Sequence, residues 1–254
     1  IAIQSFDHES LELALQNNQS VALIYNAFVK SSALGNTPSP VQYIDETLSR
    51  LAIFLELCKK HKNKIKSVLY TSTSAIYGDN SECDESSPSK PITLYASIKC
   101  AAEHLVEENL SGLGIQIILP RIFNMYGGTD EFSIISKLLK AMNSKSPITI
   151  NNNGESIRDF VHIDDVASIY QKLIDSTHVG PINIGTGIGH SIREIINLIE
   201  NLTNTQFIKI QKTSSEIKKS QANIKILTQV IGKYEFKAIE AEIRKMLSQS
   251  VQIK

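Results

Sequence analysis

Short, nearly continuous apolar runs alternate with longer stretches of helical periodicity along the first half of the chain. Such runs are typical of strands buried on both faces, and their alternation with helices indicates a parallel α/β sheet with helices on both sides. The predicted strands are IAIQ (1–4), VALIYNAF (21–28), SVLYTST (67–73) and IQIILP (115–120). The predicted helices cover residues 8–17, 40–61 and 94–111.

The pattern changes after residue 124, where shorter strands and helices are mixed. Here we expect Asp164 and Ser191 to act as N-caps, because their side chains can accept hydrogen bonds from the first turn of a helix. The predicted helices are 131–143, one from Asp164, 192–202 and two more at the C-terminus; the predicted strands are SPITIN, RDFVHI, PINIG (181–185) and FIKIQ (207–211). The second half therefore reads as a smaller α+β region.

Composition narrows the class of protein. The 254 residues carry 26 Lys and Arg against 26 Asp and Glu, so nothing in the net charge favours nucleic acid or an anionic membrane as a partner. No apolar run approaches the roughly 18 residues of a membrane span, and no secretory signal is visible. The cysteines at 58, 83 and 100 lack metal-ligand spacing, so we expect packed thiols at Cys58 and Cys100 and a cytoplasmic location.

Three polar residues carry the candidate chemistry. Tyr95 and Lys99 lie four apart at the start of a predicted helix, which places a phenol and an ammonium on one face. An ammonium beside a phenol favours phenolate, so we expect Lys99 to lower the pKa of Tyr95, which could then exchange protons with a substrate hydroxyl. Thr73 ends a predicted strand. A YxxxK pair is common by chance, so its weight depends on the surrounding motifs.

Five motifs occur in a defined order around these residues: TSTSAIYG (71–78), YASIK (95–99), RIFNMYG (121–127), RDFVHIDDV (158–166) and NIGTG (183–187). With them the chain resembles the extended short-chain dehydrogenase/reductase family, in its NAD-dependent nucleotide-sugar epimerase/dehydratase branch, and is similar to UDP-glucose 4-epimerases. The resemblance implies a partial Rossmann-like dinucleotide-binding domain over 1–124. It also implies a mainly substrate-binding region over 125–254, with 155–185 partly returning to the Rossmann sheet.

The resemblance also implies roles for single residues. Tyr95 would be the general acid/base on a sugar hydroxyl, Thr73 would share its proton and orient the sugar, and Lys99 would tune Tyr95 and hydrogen-bond the nicotinamide ribose. Asn124 matches a residue near the substrate. Arg158 matches one that grips the nucleotide diphosphate, the alternative being a salt bridge to an acid such as Asp159. The cofactor is expected to be NAD, with contacts from Asp7, Ala27, Lys30, Tyr95 and Lys99.

No metal is expected, since the family's use of the acids and histidine in RDFVHIDDV is structural.

The sequence departs from the family pattern in places. The glycine-rich turn G-x-x-G-x-x-G is absent, and we expect it in a segment preceding Ile1, the alternative being a degenerate domain. Thr47 and Arg50 replace an asparagine and a glycine, and Thr213, beside Lys212, stands where a second phosphate-binding arginine is usual. The glycines at 185, 187 and 189 match a late turn.

The residues after Thr73 bear on the reaction. Dehydratases of this branch place Asp-Glu there, whereas this chain has Ser74 and Ala75, which cannot drive elimination of water. The expected reaction is epimerisation at C4 by transient oxidation to a keto sugar, and the expected role is in surface-polysaccharide synthesis. The alternatives are a nucleotide-sugar reductase or decarboxylase, or a catalytically silent relative that binds a nucleotide or a protein. By analogy we expect a homodimer formed by helices 40–61 and 94–111.

Overall fold

The computed structural model describes residues 7–27 and 39–251. The chain divides into two compact units. Unit 1 consists of residues up to 76 together with 91–121 and 173–182, and unit 2 consists of 77–90, 122–172 and the chain from 183 onward. The domain boundary predicted at residue 124 stays a prediction. The predicted strand at 1–4 and Lys30 lie outside the described residues.

Helices and strands follow the predicted order closely. The helices are α1 His8–Asn17, α2 Pro40–Lys60, α3 Leu94–Leu110, α4 Ile134–Ser144, α5 Ile163–Asp175, α6 Ile192–Thr203, α7 Lys225–Ile231 and α8 Ile239–Val251. The strands are β1 Val21–Tyr25, β2 Ile65–Tyr70, β3 Ser72–Thr73, β4 Gln116–Ile122, β5 Asn124–Tyr126, β6 Ile148–Asn151, β7 Ile157–His162, β8 Gly180–Ile184, β9 Gly189–Ser191, β10 Lys209–Lys212 and β11 Lys219–Ser220. None of the described helices is long and apolar enough to cross a membrane.

Unit 1 is built on the first sheet. Its strands are ordered β1-β2-β4-β3, with β8 also paired to β4, and the β1–β2 and β2–β4 pairs are parallel. Helix α2 begins after Ser39, whose hydroxyl accepts from the Gln42 N–H, and it presents one apolar stripe to the strands. The members of that stripe have helical spacing and are all buried: Leu51, Phe54, Leu55 and Cys58. The predicted parallel α/β architecture is confirmed.

Unit 2 contains two further sheets. Strand β7 is parallel to β5 and β11 and antiparallel to β9, while β6 and β10 form a separate parallel pair. Helix α6 begins with a capping box between Ser191 and Glu194, which confirms the predicted cap. The apolar core of this unit takes its large side chains from α4, α6 and the strands, including Tyr126, Ile135, Leu138, Phe160, Ile195 and Ile199.

The predicted start of α5 is wrong by one residue. The helix begins at Ile163, directly after β7, so Asp164 falls in its first turn instead of preceding it. The His162 ring takes over the capping role, because its Nδ1 accepts from the Asp164 N–H at 3.2 Å. Of the two cysteines expected in packed positions, Cys58 is fully buried and Cys100 is half-buried.

Candidate active site

Thr73 and Tyr95 meet at the end of the first sheet in unit 1. Thr73 is the last residue of β3, and its Oγ1 accepts from the Ala75 N–H at 3.2 Å. Tyr95 lies in the first turn of α3, which begins where the Thr93 hydroxyl accepts from the Ala96 N–H. Burial raises the pKa of the Tyr95 phenol, and a hydrogen bond with the Thr73 side chain opposes that rise. A phenol and a hydroxyl joined in this way can pass a proton between them.

Lys99 lies one helical turn after Tyr95 and is 4% exposed. Its Nζ donates to the carbonyl oxygen of Thr71 at 2.6 Å and stands 4.9 Å from the centroid of the Tyr70 ring. Burial lowers the pKa of Lys99 to about 7, and the charge of Glu103 counteracts this. The three predicted catalytic residues therefore come together in unit 1, at the carboxyl end of β2.

The expected direction of the Tyr95 pKa is wrong for the described chain. The pKa is raised, and the opposing influence is the hydrogen bond with Thr73, not the charge of Lys99. The physical reason is burial, which disfavours both the phenolate and the ammonium. Lys99 in turn directs its ammonium toward the Thr71 carbonyl and the Tyr70 ring.

Asn124 and Arg158 lie in unit 2. The Asn124 Nδ2 donates to the backbone carbonyl of Asp159 at 3.1 Å, across the β5–β7 pair. The Arg158 guanidinium donates to the Ile157 carbonyl at 2.8 Å and lies 3.8 Å from a carboxylate oxygen of Glu216. Burial lowers the pKa of Arg158, and the charge of Glu216 opposes this. The anionic partner of Arg158 is thus Glu216, not the Asp159 considered from the sequence.

The Asp159 side chain instead accepts hydrogen bonds from the backbone. Its buried carboxylate accepts from the N–H groups of Thr186, Gly187 and Ala222 and from the Thr186 hydroxyl, at 2.7–3.1 Å. A Cβ at Gly185 would lie 2.8 Å from this carboxylate and 2.7 Å from the Ala222 Cβ. The late glycine turn therefore closes around Asp159. Within 7–27 and 39–251, no three His, Cys, Asp or Glu side chains cluster in a way that could hold a metal ion.

Of the residues expected to contact the dinucleotide, the structure describes all except Lys30. Asp7 is exposed and caps α1, where its carboxylate accepts from the Glu9 N–H at 3.1 Å and from the Ser10 hydroxyl. Ala27 follows β1 and packs against the core of unit 1. Ligands of doubly wound folds bind beyond the carboxyl ends of parallel strands, and β1 and β2 end side by side here. Two hydroxyls and an ammonium at this edge are suitable donors for the ribose and nicotinamide end of NAD.

Thr47 and Arg50, the two residues of α2 that depart from the family pattern, lie in different environments. Thr47 is buried at 2% exposure, and its Oγ1 has no hydrogen-bond partner among the described residues. Arg50 points to the surface side of the helix, where it lies 3.8 Å from Glu46. Thr213 and Lys212, at the end of β10, are both exposed.

Sequence reasoning missed three charged residues near these sites. Glu103 and Arg121 form a buried ion pair in unit 1, and Glu216 pairs with Arg158 in unit 2. Glu103 could have been found from the sequence, because it lies four residues after Lys99 among the apolar positions of α3. Glu216 lies in an irregular segment with no periodic pattern to mark it.

The sequence profile of the NAD dependent epimerase/dehydratase family matches residues 2–185. Because the match covers more than half of the chain, this protein belongs to that family, and the resemblance drawn from the five motifs is confirmed. The family is NAD-dependent.

The names of individual relatives describe several different activities. An uncharacterized UDP-glucose epimerase of Bacillus subtilis is 27% identical over 176 residues, covering 68% of this chain and 54% of its own length. A dTDP-D-glucose 4,6-dehydratase of Dictyostelium discoideum is 28% identical over 178 residues, covering 64% and 41%. The chain thus spans about half the length of the curated relatives it matches.

A solved structure shares the fold. The UDP-glucuronic acid 4-epimerase from Bacillus cereus, in complex with UDP-glucuronic acid and NAD, superposes with a TM-score of 0.85 at 23% identity. The match covers 98% of this chain and 81% of that chain. The Rossmann-like fold implied by the motifs is confirmed.

Proposed function

We propose that this protein is an NAD-dependent nucleotide-sugar epimerase that inverts C4 through a transient keto sugar. The observation that carries the proposal is the hydrogen-bonded pair of Thr73 and Tyr95 with Lys99 one turn away. These three side chains can hold and move the proton of a sugar hydroxyl. Membership of an NAD-dependent family supplies the matching redox chemistry.

Tyr95 is proposed as the acid/base. Its raised pKa keeps the phenol protonated in the described chain, the form that returns a proton to the keto oxygen in the second half of the cycle. The first half requires the phenolate, which the Thr73 hydroxyl stabilises by its hydrogen bond. Bound NAD would supply an acceptor for the C4 hydride and a donor for its return to the opposite face of the keto sugar, and its positive charge would favour the phenolate.

Lys99 and Thr73 are proposed to orient the reactants. Lys99 is anchored to the end of β2 through the Thr71 carbonyl, so its remaining N–H groups have a fixed direction for a nicotinamide ribose. Lys99, Tyr95, Asp7, Ala27 and Lys30 are proposed to hold the dinucleotide. Fixing the hydroxyl donors before the reaction reduces the entropy lost at the transition state.

Arg158 is proposed to bind the nucleotide diphosphate of the substrate, with Asn124 near the sugar. A half-buried guanidinium offers a planar set of donors that suits phosphate oxygens. Glu216 balances its charge in the described chain, and a diphosphate can replace that carboxylate as the anionic partner.

Dehydration is disfavoured by the residues after Thr73. Ser74 and Ala75 begin a 3-10 turn, Ser74–Tyr77, and neither provides the carboxyl group needed to eliminate water. A nucleotide-sugar reductase or decarboxylase is the second candidate, favoured by the UDP-glucuronic acid decarboxylase of Arabidopsis thaliana among the relatives. A catalytically silent relative is the third, favoured by the Thr47 and Arg50 substitutions.

A homodimer through α2 and α3 is part of the proposal. Both helices expose large apolar side chains, with Val41 77% exposed, Ile53 39% and Leu105 39%. Apolar side chains exposed on adjacent helices favour a helix-to-helix contact between two copies. Light scattering of wild type and Leu105→Glu tests this, and a monomer in the wild type contradicts it.

The proposed reaction is tested with protein expressed from the complete reading frame. It is mixed with NAD and a panel of UDP-, GDP- and dTDP-sugars, and the products are separated and assigned by proton NMR. Inversion at C4 without net NADH supports the epimerase. Accumulated NADH indicates an oxidising enzyme, and release of carbon dioxide indicates a decarboxylase. Binding of a nucleotide sugar without turnover indicates a silent relative.

A further inference from the structure

The buried ion pair between Glu103 and Arg121 has no part in the proposed mechanism. Glu103 lies on α3 and Arg121 on β4, and they are 4% and 7% exposed. The Arg121 Nε donates to Oε1 at 3.2 Å and Nη2 to Oε2 at 2.8 Å. Such a pair is weak support for a fold, because desolvation of both charges offsets their attraction. Its position is therefore more informative than its contribution to stability.

Glu103 shares a face of α3 with the candidate catalytic residues. It lies four residues after Lys99 and eight after Tyr95. Residues four apart on a helix have Cβ atoms about 5–6 Å from each other. The Tyr70 phenol interacts electrostatically with Glu103, and its ring lies beside the Lys99 ammonium. The carboxylate and the ammonium therefore belong to one buried cluster.

The other ionisable groups of this cluster are phenols and one guanidinium. Among the described residues, Tyr70 on β2, whose ring lies beside Lys99, interacts with Tyr25 on β1, Tyr43 on α2 and Tyr95 on α3, and Arg121 on β4 pairs with Glu103. Burial raises the pKa of all four phenols, so they are neutral near pH 7. Glu103 is thus the anion of the set. Its charge counteracts the burial that lowers the pKa of Lys99 to about 7.

We propose that Glu103, held in place by Arg121, is a positioning residue that increases the protonated fraction of Lys99 near neutral pH. The two hydrogen bonds from Arg121 fix both carboxylate oxygens, so the negative charge stays one turn from Lys99. The effect on turnover rests on the proposed function, in which Lys99 acts as a cation beside Tyr95. The protonation state itself can be measured without any substrate.

The direct test follows Lys99 by NMR. The whole protein is labelled with lysine carrying ¹³C at the ε position, and the Lys99 resonance is assigned by its absence in Lys99→Met. Its titration midpoint is compared in wild type, Glu103→Gln and Glu103→Asp. In Glu103→Gln the midpoint falls by about half a pH unit or more, because a unit charge this close is lost. Glu103→Asp, which keeps the charge, recovers most of that fall.

Glu103→Gln removes the carboxylate that pairs with the buried Arg121 guanidinium and can prevent folding. In that case the double variant Glu103→Gln/Arg121→Gln replaces it, and a fall in the same direction is expected because the charge acting on Lys99 is that of Glu103. An unchanged Lys99 midpoint in whichever of these variants folds overturns the proposal.

A second readout is the pH dependence of turnover. The alkaline limb of the kcat profile moves to lower pH in Glu103→Gln and returns toward the wild-type position in Glu103→Asp. The epimerase activity and the role of Glu103 can be contradicted independently. A shifted Lys99 midpoint without any turnover contradicts the epimerase and leaves the role of Glu103 intact. Turnover with an unmoved midpoint contradicts the role of Glu103 alone.

Discussion

The ammonium of Lys99 donates a hydrogen bond to the carbonyl oxygen of Thr71, 2.6 Å away. Thr71 follows β2 directly, so this bond ties the first turns of α3 to the end of a central strand. Tyr95 lies one turn before Lys99 and is joined to Thr73, three residues beyond the end of the same strand. Both ends of the candidate site are thus fixed by one short stretch of chain.

Lys99→Met is expected to change how stability depends on pH. Burial lowers the folded-state pKa of Lys99 to about 7, below its ordinary value of 10.5. Between these two values the unfolded state binds more protons, so the free energy of unfolding rises with pH. Below pH 7 the full cost of burying the charge is present. The melting temperature of wild type is therefore expected to rise from pH 7 to pH 9.5 relative to Lys99→Met. If the curves of melting temperature against pH are parallel for wild type and Lys99→Met, the lowered pKa of Lys99 is contradicted.

Thr73→Val is expected to slow turnover by about 10- to 100-fold, because the hydroxyl that shares the Tyr95 proton is removed. The hydrogen bond from Thr73 lowers the pKa of Tyr95, so its loss raises that pKa further. The acidic limb of the kcat profile, which reports the phenolate, therefore moves to higher pH. Thr73→Ser keeps a hydroxyl and serves as the control. Equal profiles for the valine and serine variants contradict the role of Thr73.

Arg158→Gln is expected to weaken nucleotide-sugar binding by about 10- to 100-fold, since a charge-assisted contact contributes about 1.5–3 kcal/mol. Titration calorimetry with a UDP-sugar measures the effect. Arg193→Gln is a matched control, because Arg193 is an exposed arginine of the same unit, 3.5 Å from Glu155. If both variants bind equally well, Arg158 has no part in binding the diphosphate.

Gly185→Ala is expected to destabilise the protein by about 1–3 kcal/mol, as overpacking in a closely packed region does. The added methyl would lie 2.7 Å from the Ala222 Cβ and 2.8 Å from an oxygen of Asp159. Thermal unfolding measures the loss. Adding Ala222→Gly removes one of the two close contacts and is expected to restore part of the stability. A Gly185→Ala protein as stable as wild type contradicts the described packing.

The fold was largely predictable because its strands and helices have clear periodicity. The buried stripe of α2 and the Ser191 cap follow directly from residue type and spacing. The Thr73, Tyr95 and Lys99 grouping was predictable because two of the residues are one helical turn apart and the third ends a strand. The start of α5 was missed because a histidine side chain replaced the expected aspartate cap.

The electrostatics of the site could not be read from spacing. An i, i+4 pair predicts proximity, but the direction of a pKa depends on burial, which opposes charge on both Tyr95 and Lys99. Glu216, the partner of Arg158, lies 58 positions away in an irregular segment, so no local pattern could connect the two.

The most direct measurement of the central claim compares wild type with Tyr95→Phe, each expressed from the complete reading frame. C4 inversion of a UDP-sugar is followed by proton NMR, and affinity for the same sugar is measured by calorimetry. The phenol is proposed to move the substrate proton, so Tyr95→Phe is expected to lose at least about 100-fold in kcat. Affinity is expected to stay within about tenfold, because a single hydrogen bond contributes about 0.5–1.5 kcal/mol. Undiminished C4 inversion by Tyr95→Phe would contradict the assignment of Tyr95 as the acid/base.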